Sequence, residues 1–372
     1  EYHAPSTAVL HDVVVFAPGN RAVAKVKRLQ ADLALRPLLS GDIVIKSLMV
    51  TEPKLLLEMH DGKLNLLEAF APKKPKKKTD DDKPPPDITI RIDRFSFSDG
   101  DMRFRDGENV TITAADADGH GRVEIHLRNT DVVVEVNDIS VQTGALKLKP
   151  MDVSLHHAYV DQLRLHDNVI DLTGVRATVI DAPVTLAGRV GLLNGGNLQL
   201  RGTASTTKST WPDRLAPAPF ALPAADVDFK VTGPFKNPMV HLDVNTGAFV
   251  AYDFGVHDVK AKVRVNKDKV LLDNVVARLA TVGKSSKAWE GKVNVTGDLR
   301  LQGLVLGAKV GVVDVPLAAA LAPAKLDPLP EGLLNGDVRL LGAVDGKHPL
   351  RVEANVRAAR PRAFGLDFGR RL

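Results

Sequence analysis

Residues Leu38–Leu66 read LLSGDIVIKSLMVTEPKLLLEMHDGKLNL, and nearly every position in them speaks for β structure. Leu38-Leu39-Ser40-Gly41 forms a turn, with Gly41 free to take the positive φ of a tight reversal. Ile43 and Ile45, then Leu48 and Val50 after Lys46-Ser47, make a strand of mostly alternating character. Pro53 has no N–H to give a ladder, so a break is expected there, with a second strand over Leu55–Met59. Asp61-Gly62 is a strong reversal signal, and Asn65 is placed to cap the short apolar run Leu66–Phe70.

The same logic extends along the chain. Ile88–Asp93, Val227–Thr232, Val259–Asn266 and Gly291–Leu301 all alternate apolar with polar residues. Period-two alternation sets an apolar face against a wet one. Continuous apolar runs, which mark sheets covered on both sides, are scarce. The apolar phase slips from Ile88/Ile90/Ile92 to Phe95/Phe97, so a β-bulge is expected near Asp93-Arg94. Val227, Phe229, Val231, Val259, Ala261, Val263, Val265, Val293, Val295, Leu299 and Leu301 are expected on one concave face with Ile88, Ile90 and Ile92. Lys260, Lys262 and Arg264 then point outside. Val231–Val244 is echoed by Leu341–Ala354, each reading strand, Gly, polar residues, Pro, strand. Related strand-Gly-strand units occupy Val184–Thr203 and Val293–Gly303, so the sheet grows by adding similar groups.

Composition narrows the chemistry. The chain has 372 residues, 44% hydrophobic but only 5% aromatic, so its apolar surface is aliphatic. It has no cysteine, which excludes disulfides, thiolate metal sites and cysteine nucleophiles. The net charge of +5 arises from 50 basic residues interspersed with 45 acidic ones, which is no nucleic-acid footprint. No run approaches the roughly 18 apolar residues of a spanning helix. The chain starts with Glu1, without a signal peptide, and reads as a piece of a longer protein whose membrane anchor lies elsewhere.

Three segments interrupt the strands. Ala71–Asp87 is rich in Lys, Asp and Pro and is expected to be a mobile loop. Lys208–Ala225 is a Pro/Ala-rich excursion around Trp211, and Asp314–Pro330 contains a short helix with Pro316 in its first turn. Among polar candidates, His156-His157 suits two unrelated positions on opposite strand faces better than a metal site. Asp80-Asp81-Asp82 lacks the spaced ligands of a calcium loop, and Ala117–Gly121 lacks the helix start of a phosphate loop. Lys73, Lys74, Lys76, Lys77 and Lys78 offer a contact for anionic headgroups, though a solvated loop offset by the nearby aspartates explains them as well. With no catalytic constellation, the chain reads as a non-enzyme that needs no cofactor or metal.

The order turn, strand, Glu-Pro, strand, Asp-Gly-Lys-Leu-Asn in Leu38–Asn65, with the strand Val23–Leu35 before it, resembles the N-terminal signature of the AsmA family. Gly233-Pro-Phe-Lys-Asn-Pro238 is similar, more loosely, to a recurring element of AsmA/TamB-like repeating β-groove proteins. The resemblance implies three parts: an N-terminal module over 1–70, the loop 71–87, and a continuing β-groove over 88–372. It implies an all-β fold with a few short helices, a long, twisted, mainly antiparallel sheet curved into an open U-shaped groove. It further implies a periplasmic protein, anchored at the inner membrane, that carries phospholipid in outer-membrane biogenesis. Alternation alone fits half of a β-sandwich core equally well. Scarce helices, few aromatics and the resemblance favour the groove. The alternative is a periplasmic scaffold for outer-membrane proteins that templates incoming strands by β-augmentation. A carbohydrate-active solenoid is weaker still, because no ladder of carboxylates appears.

Overall fold

The computed structural model describes residues 7–40, 42–60, 63–70, 89–107, 110–126, 131–148, 151–179, 182–192, 196–206, 224–251, 254–281, 290–318, 331–343, 351–363 and 366–367. The expected loop 71–87, most of the excursion 208–225, Ile88 and the lysines of 73–78 lie outside them. The chain divides into two compact units, Glu1–Leu200 and Arg201–Leu372. Both are built from long strands.

In the first unit β1 (Thr7–Ala17) and β2 (Arg21–Ala34) form a hairpin, with Gly19 and Asn20 in the positive-φ region its turn requires. A 3-10 turn (Arg36–Ser40) leads to β3 (Ile43–His60), which lies antiparallel to β2. The two-residue β4 (Lys63–Leu64) runs into α1 (Asn65–Phe70). β5 (Thr89–Asp106) then lies parallel to β3. From there β6 (Val110–His126), β7 (Asp131–Leu148), β8 (Met151–His166), β9 (Val169–Val179) and β10 (Ala182–Gly191) form an antiparallel meander. β11 (Asn197–Thr206) spans the boundary between units.

The second unit contains β12 (Ala225–Gly233), β13 (Met239–Thr246), the short β14 (Phe249–Ala251), β15 (Phe254–Val265), β16 (Lys269–Thr281) and β17 (Glu290–Arg300). After a 3-10 turn (Gln302–Leu304) come β18 (Val305–Pro316), β19 (Glu331–Ala343), β20 (Arg351–Ala363) and the two-residue β21 (Leu366–Asp367). The ladder runs β12–β13–β15–β16–β17–β18–β19–β20, antiparallel at every step.

Three local expectations need correction. Pro53 does not end a strand: β3 continues through it, and Pro53 pairs with Val26 of β2. Its missing donor falls where the β3–β5 register skips from Thr51↔Ser98 to Lys54↔Asp101. Glu52 and Asp99 both take a left-handed φ there, so the proline sits at a bulge where no ladder bond is lost. Asn65 does not cap α1. Its Oδ1 accepts from the Glu58 N–H at 2.9 Å and its Nδ2 donates to the Leu56 carbonyl at 2.7 Å, so it docks the helix onto β3. Finally, β18 runs on through Pro316, and helical backbone begins only at Leu317–Ala318. The expected β5 bulge is present. The β5–β6 register shifts between Ile92 and Phe95, and Ile92 and Phe95 then face Val123 and Gly121 on one side of β6.

Burial is shallow. Among the described residues the buried apolar side chains are Ala17, Val23, Ala31, Val136, Ala182, Ala225, Val256, Ala308, Val315 and Leu334. Half of these are alanine. Nearly all the larger aliphatic residues stay partly open.

Candidate functional site

Cross-strand partners share a face of a sheet, so the register of the second unit assembles its apolar face row by row. Phe229 faces Leu242, which faces Val263, then Leu272, Gly297, Ala308, Leu340 and Val352. A second row runs Val227, Val244, Ala261, Val275, Val295, Val310, Val338 and Ala354. A third runs Val231, Val240, Val265, Val270, Leu299 and Leu306. Val259 faces Thr246, and Val293 lies between Ala277 and Val312. The face is apolar from β12 to β20, mostly aliphatic.

Leu301 is the exception among the expected residues. It lies past the end of β17, in the turn before β18, and is 40% exposed. The alternation counted one step too far, because the strand ends at Arg300 and Leu301 gives its N–H to the Asp268 carbonyl of the neighbouring turn. Conversely, β16 carries four members of the face that alternation missed: Val270, Leu272, Val275 and Ala277. A bulge between Leu272 and Val275 disrupts the period there. Val240, Leu242 and Val244 of β13 were legible in their own alternation.

This face is open rather than sealed. Of its members only Ala308 is buried; Phe229, Val263 and Val295 are half-buried, and Val352 is 60% exposed. Part of the surface is bare backbone. A Cβ on Gly297 would meet the Gly307 carbonyl oxygen at 2.3 Å and the Ala308 Cα at 2.7 Å, so no side chain fits there.

The opposite face carries charge. Lys260 and Lys262 are exposed, and Lys262 lies 3.8 Å from Asp243. Arg264 donates from Nε and Nη2 to the two Asp273 oxygens at 2.6 Å each, which holds that carboxyl below the usual carboxylate range. A polar recess of about 290 Å³ between Lys309, Asp337, Arg339, Glu353 and Asn355 also lies on this charged side. Exposed pairs of this kind add little stability; their effect is to fix which face meets water.

In the first unit Ile90 faces Ile43 and Ile125, and Ile92 faces Ile45 and Val123. Phe95 and Phe97 stack with ring centroids 5.7 Å apart. β1 to β3 are tied by Asp32, which accepts from Thr7 and Ser47 at 2.6 Å each. Those two hydroxyls, Ser47 foremost, keep its pKa low. At the corner of β1, β2 and α1, Val23 is 0% exposed, Asn65 2% and Ala17 3%, and Arg21 reaches Glu68 at 3.0 Å.

Residues 2–118 match the family model described as the AsmA family. Over this stretch the chain is similar to the AsmA family. The matched stretch includes β1 to β5, α1 and the first half of β6, with the Asp-Gly-Lys-Leu-Asn element ending in the buried Asn65. No curated protein and no solved structure matches the chain.

Proposed function

We propose that this AsmA-type chain carries the acyl tails of phospholipids along the apolar face of its sheet, as a non-enzymatic bridge segment in the periplasm at the inner membrane. The observation that supports it most is the apolar row from Phe229 to Val352, of whose members only Ala308 is buried. A tail leaving a bilayer for water loses about 0.8 kcal/mol per CH₂. A wall of Val, Leu and Ala offers it another apolar medium, so exchange is nearly neutral while the aqueous barrier disappears. The charged reverse face, with Lys262 and Arg264 against Asp243 and Asp273, stays in water and keeps the apolar side as the side that lipid meets.

Such a face gives passage without direction, because an acyl chain finds the same medium at each step. The decisive experiment is native mass spectrometry of gently purified protein, combined with crosslinking to photoreactive phospholipid. Bound phospholipid crosslinked at Val263 and Val295 is the expected result. Protein free of lipid, with an outer-membrane strand paired to it, supports the scaffold reading instead.

A further inference from the structure

Three hairpin tips of the second unit line up side by side: 234–238 between β12 and β13, 266–268 between β15 and β16, and 301–304 between β17 and β18. The first two are neighbours because Val240 pairs with Val265. The second and third touch, since Lys269 pairs with Arg300 and the Leu301 N–H reaches the Asp268 carbonyl at 2.8 Å.

Their chemistry does not suit ordinary solvated turns. Phe235 is 41% exposed, Leu301 40%, Leu304 43% and Val305 40%. Leu304 is held at φ 46°, a conformation γ-branched side chains rarely adopt, directly after Gly303 at φ 75°. Around these stand Lys236, Lys267, Lys269 and Arg300, four cations against the one carboxylate of Asp268. None of the four side chains makes an ion pair or hydrogen bond among the described residues, whereas Lys262, Arg264, Arg278 and Lys309 on the same strands are paired. Two tips of the first unit, Pro18-Gly19-Asn20 and Asp167-Asn168, carry neither a cation nor a large aliphatic side chain, whereas the β2–β3 turn has Arg36 with exposed Leu35 and Leu39.

We infer that this row of tips is a membrane-docking rim whose occupant is the surface of an anionic bilayer. Single apolar side chains on separate tips fit a soft, planar interface, where each enters the acyl boundary while its hairpin backbone remains among the headgroups. Unpaired cations beside them meet negative headgroups instead of a fixed partner. Charge complementarity selects the anionic surface, and a protein would need one contiguous patch where the tips offer isolated points. The rim gives the groove reading its point of contact with a bilayer and rests on that reading only for its purpose, since the apolar face opens beside these strand ends.

The test is flotation of the purified chain with vesicles of phosphatidylcholine alone and of phosphatidylcholine with phosphatidylglycerol. The chain is expected to float only with the phosphatidylglycerol vesicles, and to be released by salt. Replacing Lys236, Lys267 and Lys269 with Gln lowers partitioning by at least roughly tenfold. Phe235→Ser with Leu304→Ser also lowers it, with thermal unfolding unchanged because all these side chains are exposed. Equal flotation with both vesicles, no flotation, or wild-type flotation by both variants overturns the rim. Native mass spectrometry of the same samples keeps the two readings apart. Lipid-loaded protein that ignores anionic vesicles sinks the rim alone, and lipid-free protein that binds them sinks the groove alone.

Discussion

Val23 and Val263 are the same residue in the same kind of strand, yet Val23 is 0% exposed and Val263 stays half-buried. Val23 sits at a bulge of β2, on the strands against which a short helix packs. α1 packs across β1, β2 and β3, and its Asn65 completes the backbone hydrogen bonding of Leu56 and Glu58 at the edge of β3. Its Glu68 holds Arg21 at the start of β2. Nothing among the described residues covers β15 and β17 in that way. The corner where this six-residue helix packs holds the buried Ala17, Val23 and Asn65, and the face without one remains a surface. Burying a whole valine side chain contributes roughly 1.5–3 kcal/mol, so this corner is where single substitutions are felt most.

The strongest way to break this comparison is Val23→Asp. An unpaired carboxylate in this corner costs several kcal/mol, enough to threaten a typical total of about 5–15 kcal/mol. Thermal unfolding by circular dichroism is expected to show loss of the cooperative transition, and a native-like melt would mean the corner is not sealed. Asn65→Ala comes next. It strands the Glu58 N–H and the Leu56 carbonyl, each worth about 1–3 kcal/mol when left unsatisfied. Chemical denaturation should show a fall of that order, whereas an unchanged midpoint would reduce Asn65 to an ordinary helix start.

The open face is expected to answer differently. Val263→Asp with Val295→Asp places carboxylates where water reaches them, so the melt should fall by no more than about 1 kcal/mol while phospholipid crosslinking is lost. A collapse comparable to that of Val23→Asp would turn the open face into one half of a sandwich core.

The smallest effect concerns pH. At the β8–β9 turn, His166 lies 2.7 Å from Asp171 and 3.3 Å from Asp167, and these carboxylates raise its pKa above the ordinary 6.5. Asp171, held by His166 and by Arg189 at 2.8 Å, is shifted below its ordinary 3.8. Arg164 on β8 faces the same carboxylate and opposes the charging of His166. A raised histidine pKa contributes stability that is complete below 6.5 and lost as pH rises through the folded value. A lowered aspartate pKa contributes stability above 3.8 that is lost as pH falls through the folded value. The melting difference between wild type and His166→Gln should therefore be greatest between about pH 4 and 6.5 and shrink above that window. A difference that does not vary with pH would show that His166 acts by packing alone.

Sequence alone fixed more of this protein than its low aromatic content promises. Alternation at Val227–Val231, Val259–Val265 and Val293–Leu299 was enough to place those residues on one face, because each strand is wet on one side and the side-chain period is two. The slip at Asp93-Arg94 was legible for the same reason: a bulge is the simplest device that keeps Ile92 and Phe95 on one side. Strand ends, bulges without a phase slip and long-range pairs were not legible. Leu301 continued the alternation past the last ladder bond, β16 hid its apolar members behind a bulge, and Pro53 looked like a break because the matching bulge in β5 is remote in sequence. Nor did local pattern tell Asn65 the cap from Asn65 the edge-filler, since its partners Leu56 and Glu58 are chosen by how α1 folds back on β3. What the sequence determined is which residues share a side. The tertiary structure decided which sides are covered, because coverage depends on what another part of the chain brings against a strand, and a single strand's pattern is the same in either case.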